Sequence, residues 1–305
     1  MSKNNICHPV WKASNAALVI AILLLQSAHG QTFDDGLMDR VRSVSHMIPG
    51  KLPVEVRFQD FFHWKQPLSG LYEGGSPEIV DNVIGVFQIR FSDGWIMVDA
   101  AVEKELLWDG DFSNGNYALI GDGLRGARMI VATHEHSDHI AGVIRGPWAS
   151  AAEAKSLLTT EQLETIVAGP SYEPEFIISQ EHADRFVSVK YDELLPIAPG
   201  VVLIKAPGHS PGSQIVYVLL HDNTEMLLVG DVIWNTGALD NVSQKPMDAS
   251  VRLNEDREAI LPQMKWLKSI LGTSTHLVVA HDAKAMSALI EKGVIRDGII
   301  LGTSD

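Results

Sequence analysis

His134-Glu135-His136-Ser137-Asp138-His139-Ile140, entered from the apolar run Met129-Ile130-Val131-Ala132-Thr133, decides how this chain is read. Four potential metal ligands fall within six residues at the mouth of an expected buried strand. Side chains alternate along an extended segment, so His134 and His136 point the same way and can share one cation. Asp138 and His139 then start a turn into a helix at Ala141-Gly142-Val143-Ile144, which lets their side chains reach a second position. A helical His-Glu-x-x-His site would need histidine at 138, where aspartate stands. One histidine in such a turn reads as a satisfied core or loop residue, but four ligand types at this spacing read as a metal site.

The same placement recurs along the chain, just past the C-terminal end of an apolar run. Asp99 follows Trp95 to Val98, and His209 follows Val201 to Ala206 in the turn Pro207-Gly208-His209-Ser210-Pro211-Gly212. Asp231 follows Met226 to Gly230, and His281 follows His276 to Ala280. In sheets flanked by helices, functional groups gather at the carboxyl ends of strands. His209, Asp231 and His281 are therefore expected to converge on the cluster at 134–139. A ligand set of nitrogen and oxygen without thiolate suits Zn²⁺, with Fe or Mn as rivals.

Taken together, Thr133 to His139, Gly208-His209-Ser210-Pro211-Gly212, Gly230-Asp231 and Ala280-His281-Asp282 resemble the metallo-β-lactamase-fold hydrolases, in that family's order and spacing over residues 80–290. The resemblance implies an α/β fold, a four-layer αββα sandwich, with a dinuclear site holding two Zn²⁺ at one edge. It places His134, His136 and His209 on the first metal, Asp138, His139 and His281 on the second, and Asp231 between them. Asp99 resembles the family's strand-end aspartate, which supports the ligand loops. A hydroxide held between the cations would attack a carbonyl, and Asp138 would orient it or pass a proton to the leaving group.

Within the family, β-lactamases usually carry cysteine or serine where this chain has Asp231, and a bridging aspartate goes with lactonases, thioesterases and phosphodiesterases. Signal-lactone hydrolases often have tyrosine three residues further on, where Trp234 offers an N–H and no hydroxyl. His136 speaks against the flavin-linked di-iron relatives, which have glutamate there. The expectation is a hydrolase of a lactone or related ester acting on a small molecule. A β-lactam hydrolase, a thioester hydrolase and a mononuclear-iron persulfide dioxygenase stand as alternatives, as does a metal-bound binding protein without activity.

Composition bounds the rest. The chain has 305 residues, 46% of them hydrophobic, enough for a substantial core. Lys3 and Lys12, the apolar run Ala16 to Leu25 and Ala28-His29-Gly30 before Gln31 have the layout of a secretory signal over 1–30, cleaved near Gly30-Gln31. That predicts a secreted or periplasmic protein with no stable membrane insertion after cleavage. The only cysteine, Cys7, lies in this segment, which leaves the mature chain without disulfides. Losing two lysines and no acid takes the formal charge from −14 to −16, a poor match for nucleic acid. Residues 31–75 read as a leader packing on a catalytic domain at 76–305. In the leader, Phe58, Phe61, Phe62, Trp64 and Tyr72 read first as a patch pinning it to the core, and second as a pocket wall. The sequence does not separate pocket from core for Trp108 and Trp148.

Overall fold

Apolar residues alternate with a period of two along the central strands, and the alternation sorts them onto the two faces of a sheet. In the computed structural model, which describes residues 33–302 apart from 171, 172, 174 and 175, Asp35 onward forms one unit. The expected export segment lies outside the described residues. A first helix, α1 (Leu37–Ser45), precedes β1 (Glu55–Pro67) and β2 (Ile79–Phe91). Then come β3 (Gly94–Val98), β4 (Asp111–Phe112), α2 (Asn114–Gly126), β5 (Met129–Val131), α3 (Ser137–Ile144) and α4 (Ala149–Ala152). β6 (Ser156–Thr159), α5 (Thr160–Ala168), α6 (Gln180–Ala183) and β7 (Val187–Val189) complete the first half. The second half runs β8 (Leu194–Ala198), β9 (Val201–Lys205), β10 (Gln214–Leu219), β11 (Glu225–Leu228), α7 (Met247–Leu253), α8 (Arg257–Ile270), β12 (Thr275–Val278), α9 (Ala283–Glu291) and β13 (Arg296–Asp297).

The first sheet has the order β13-β1-β2-β3-β5-β6-β7, with β4 on β1, and the second β12-β11-β10-β9-β8. Val83, Phe87 and Ile89 of β2, Ile96 and Val98 of β3, and Val131 of β5 meet Val201, Leu203, Val216, Val218 and Leu228 of the second sheet between the layers. The intervening Ile84, Val86, Met97 and Ile130 face outward onto Ile120, Leu124, Ile140 and Val143 of α2 and α3. Helix α1 packs on β8 and β9, and α8 on β12, across the outer face of the second sheet. The layers are therefore helix, sheet, sheet, helix, the expected αββα sandwich.

Residues 55–67, read in the sequence as part of a leader, form β1, which pairs with β2 from Glu55↔Arg90 to Pro67↔Ile79. The sequence of 181–187 reads as a helical piece, but only Gln180–Ala183 is helical, and Val187–Val189 is a strand parallel to β6. Pairing with β6 and the β-branched Val187 and Val189 outweigh the short helical pattern. No helix among the described residues is long and apolar enough to cross a membrane.

Candidate metal centre

Five of the predicted site residues hang from the ends of parallel or central strands, where the chain turns sharply. Beyond β3, Asp99 and Ala101 have φ of 67° and 63°, a left-handed conformation that costs free energy in a residue with a Cβ and clusters at functional sites. This strained segment is held against α3 by Ala100 N–H on His139 O at 2.7 Å and Gly142 N–H on Ala101 O at 2.9 Å. A Cβ at Gly142 would sit 1.8 Å from Ala100 O, so only glycine lets α3 approach this closely. The helix that starts at Ser137 thus delivers Asp138 and His139 to the same edge as His134 and His136.

The two sheets supply opposite sides of the site. Its first group is His134, His136 and His209: His209 Nε2 lies 3.2 Å from His134 Nε2 and 3.0 Å from His136 Nδ1. Asp138, His139 and His281 form a second group, with Asp138 Oδ2 3.4 Å from His139 Nε2 and 3.7 Å from His281 Nε2. Asp231 stands between them. Its Oδ2 is 4.0 Å from His134 Nε2 and 3.5 Å from His209 Nε2, and its Oδ1 is 3.4 Å from His139 Nε2 and 3.1 Å from His281 Nε2. All seven predicted ligands are thus brought together, each buried except the partly exposed Asp138.

The partners of the outward ring nitrogens turn lone pairs inward. Asp99 accepts from Thr133 N–H (2.7 Å) and from His139 Nδ1–H (2.9 Å), and the Thr133 hydroxyl sits 3.1 Å from His134 Nδ1. Val83 O accepts from His281 Nδ1–H at 2.9 Å, and Glu255 from His209 Nδ1–H at 2.6 Å. A carbonyl or carboxylate can only accept, so the inner Nε2 of His139, His209 and His281 carries no proton in the neutral ring. Burial, reinforced by neighbouring imidazoles, pushes His134 and His136 well below the usual histidine range. Burial and Lys245 also lower His209. His139 goes the other way: burial pulls it down, but Asp138, Asp99 and Asp231 hold it well above that range. His139 Nε2 and Asp231 Oδ1 are buried without a hydrogen-bond partner. Orphaned buried atoms and facing ring nitrogens are costly unless something cationic sits among them. The donor set therefore fits two divalent cations, with neutral imidazoles on one side and carboxylates shared on the other.

Residues that the sequence reading missed hold the loops in register. Gln162 Nε2 donates to Ala132 O (3.0 Å) and Gly212 O (3.1 Å), tying the loops of His134 and His209 together. Buried Glu135 does the same, accepting from Ser210 Oγ at 2.7 Å and Gly212 N–H at 3.0 Å. Glu255 and Lys245 support His209 and Asp231, yet in sequence Asn254-Glu255-Asp256-Arg257 is only a charged stretch before a helix. Trp234 spends its N–H on Asp231 Oδ2 at 2.7 Å.

A cavity of ≈ 550 Å³ opens over this centre, with His136, Asp138, Asp231 and His281 at its floor. One wall runs outward from His281, whose ring meets Trp64 edge-on at 5.6 Å; Trp64 meets Trp108 at 5.1 Å. The aromatic stretch of β1 serves both purposes read from the sequence. Phe58, Phe61 and Phe62 are core, and Trp64 faces the cavity. Trp108, half exposed, lines it too, whereas Trp148 is core.

No family model matches this sequence, and no curated protein matches it either. Solved structures do match. One is a quorum-quenching N-acyl homoserine lactone lactonase, 17% identical, covering 79% of this chain and 97% of its own, with a TM-score of 0.59. A second, a dizinc quorum-quenching lactonase with N-hexanoyl-L-homoserine as product, is 14% identical over 77% of this chain and 90% of its own, at a TM-score of 0.56. A third, a hydrolase of the β-lactamase superfamily, is 13% identical over 78% and 92%, at 0.53. Across that much of each chain, the likeness shows that this protein has the metallo-β-lactamase fold.

Proposed function

We propose that this protein is a dinuclear metal-dependent hydrolase of a carbonyl ester, with a lactone or related ester as its substrate class. Asp231 carries the reading, because its two oxygens face two separate ligand groups across the centre. His134, His136 and His209 hold one cation, and Asp138, His139 and His281 the other. Two such cations, when bound, supply a water of lowered pKa and an electrophilic pull on a carbonyl. Asp138, at the cavity floor beside His139 and His281, would turn Oδ2 to the cation, while its other oxygen takes the proton released by the attacking water and returns it to the departing oxygen. Trp64 and Trp108 exclude water from one side and give an apolar arm of the substrate a surface to lie on. The lactonase activity of two structural neighbours supports the ester class. Aspartate at 231, where the resemblance puts cysteine or serine in β-lactamases, supports it further.

Elemental analysis of protein purified without chelator, joined to rates on lactones, simple esters, thioesters, β-lactams and phosphodiesters, tests the reading. Two divalent ions per chain, chiefly zinc, are expected. Lactone or ester hydrolysis should exceed β-lactam hydrolysis by at least about tenfold in kcat/KM, a gap of about 1.4 kcal/mol. One tightly bound iron with no second site would replace the dinuclear reading by the dioxygenase one. Faster β-lactam turnover would remove the ester assignment.

A further inference from the structure

Lys245 leaves only 4% of its surface exposed, beside the metal centre and outside the ligand set. Burying an ammonium is costly unless its protons and charge are met. Here they are met by one ligand loop and by the carboxylate that orients a ligand on another. Lys245 Nζ donates to Asp231 O at 2.5 Å and to Glu255 Oε1 at 2.7 Å, and lies 3.4 Å from His209 Nδ1. Glu255 is the carboxylate that orients His209, and Ser250 Oγ donates to its other oxygen at 2.7 Å. The ammonium also sits 4.9 Å from the centroid of the Trp234 ring, whose N–H holds the Asp231 carboxylate. A closed circuit results: Lys245 to the Asp231 backbone, Asp231 carboxylate to Trp234, and Trp234 back to Lys245, with a branch through Glu255 to His209. Arg257 donates to Lys245 O at 2.6 Å and to Ser250 Oγ at 2.9 Å, which pins the segment bearing the lysine.

We propose that Lys245 is a positioning residue of the metal centre: it fixes Asp231 and His209, which come from separate loops, at one separation, so that the two cation positions load together. The proposal rests on the dinuclear reading of the site. Its logic is geometric. His209 serves only the first group and Asp231 serves both, so a single rigid link between them makes occupancy of one position prepare the other. Simple balancing of the buried Glu255 charge would not do this, and that is the competing account to test.

The test titrates metal-free protein with Co²⁺, follows the visible absorption of the bound ion, and records thermal unfolding of each metal-free protein alongside. Parental protein should take up two equivalents in one step. Lys245→Met should split uptake into two steps and weaken the second by at least about tenfold, the scale seen for supporting residues of metal ligands. The double variant Lys245→Met with Glu255→Gln removes both charges, and its uptake should remain split. Recovery of a single parental step in the double variant overturns the proposal, since Lys245 would then only offset Glu255. Two steps in the parent overturn the joint loading, and unchanged uptake with a lower unfolding temperature shows a purely structural lysine. A parent that binds no metal removes the dinuclear reading and this proposal with it. Lys245→Gln, with an N–H donor on a shorter arm, carries the same test where the methionine variants do not fold.

Discussion

At the scale of single residues, Asp231 does what no other side chain in the centre can, because each of its oxygens belongs to a different ligand group. Asp231→Ala removes both contacts and leaves five buried imidazoles without the carboxylate between them. The fold should persist by circular dichroism, while metal content falls from two ions toward one. Turnover should fall by at least about a thousandfold, or about 4 kcal/mol in the barrier. Wild-type rate with full metal content would rule out the shared role. The convergence of the seven candidate ligands was legible because His209, Asp231, His281 and the cluster at 134–139 each follow an apolar run, and strand ends are where such groups gather. Glu255, Lys245 and Gln162 were not. Gln162 lies 30 and 50 positions from the carbonyls it joins, and nothing in its neighbourhood distinguishes it from an ordinary capping residue on α5. Trp234 was seen as a departure from lactonase relatives, but the sequence could not show that its N–H is directed at Asp231 rather than at a substrate.

At the scale of elements, the hairpin β2–β3, the run β9–β10–β11 and helices α8 and α9 follow from patterning that needs no distant partner. β1 and β7 do not. The long β1 mixes charged and aromatic residues, and becomes a strand because β2 lies beside it for its whole length. Three-residue β7 exists only through β6. Close packing of α3 shows the same dependence on context. Gly142→Ala places a methyl against Ala100 O, so either α3 or the strained turn at Asp99 to Ala101 must move. Overpacking of this kind costs about 1–3 kcal/mol. In a domain of this size each kcal/mol lowers the unfolding temperature by about 2–4 °C. The variant should therefore melt several degrees lower and bind metal more weakly, since His139 rides on that helix; an unchanged melting curve would show that α3 has room to shift.

At the scale of the whole molecule, the ligands divide by sheet. His134, His136, Asp138 and His139 leave the first sheet, and His209, Asp231 and His281 leave the second. Metal binding to the folded state alone stabilises it by mass action, about 2.7 kcal/mol for ligand at a hundred times its dissociation constant. Melting temperature should thus rise with free zinc and fall in chelator, and a melting curve indifferent to both would show that the centre contributes nothing to the fold. The division by sheet also says where that free energy is felt. The layers elsewhere adhere through interdigitated Val, Leu, Ile and Phe side chains, a greasy contact with no preferred direction. At the ligand edge the proposed ions would instead join them by directional bonds, as a clasp joins the covers of a book along the side away from its spine. Stripped of its ions, the protein should breathe there first. Amide hydrogens around Thr133, Gly208 and Val279 should exchange with deuterium in the chelated protein long before those of the mid-sandwich strands, and fall silent again when zinc returns.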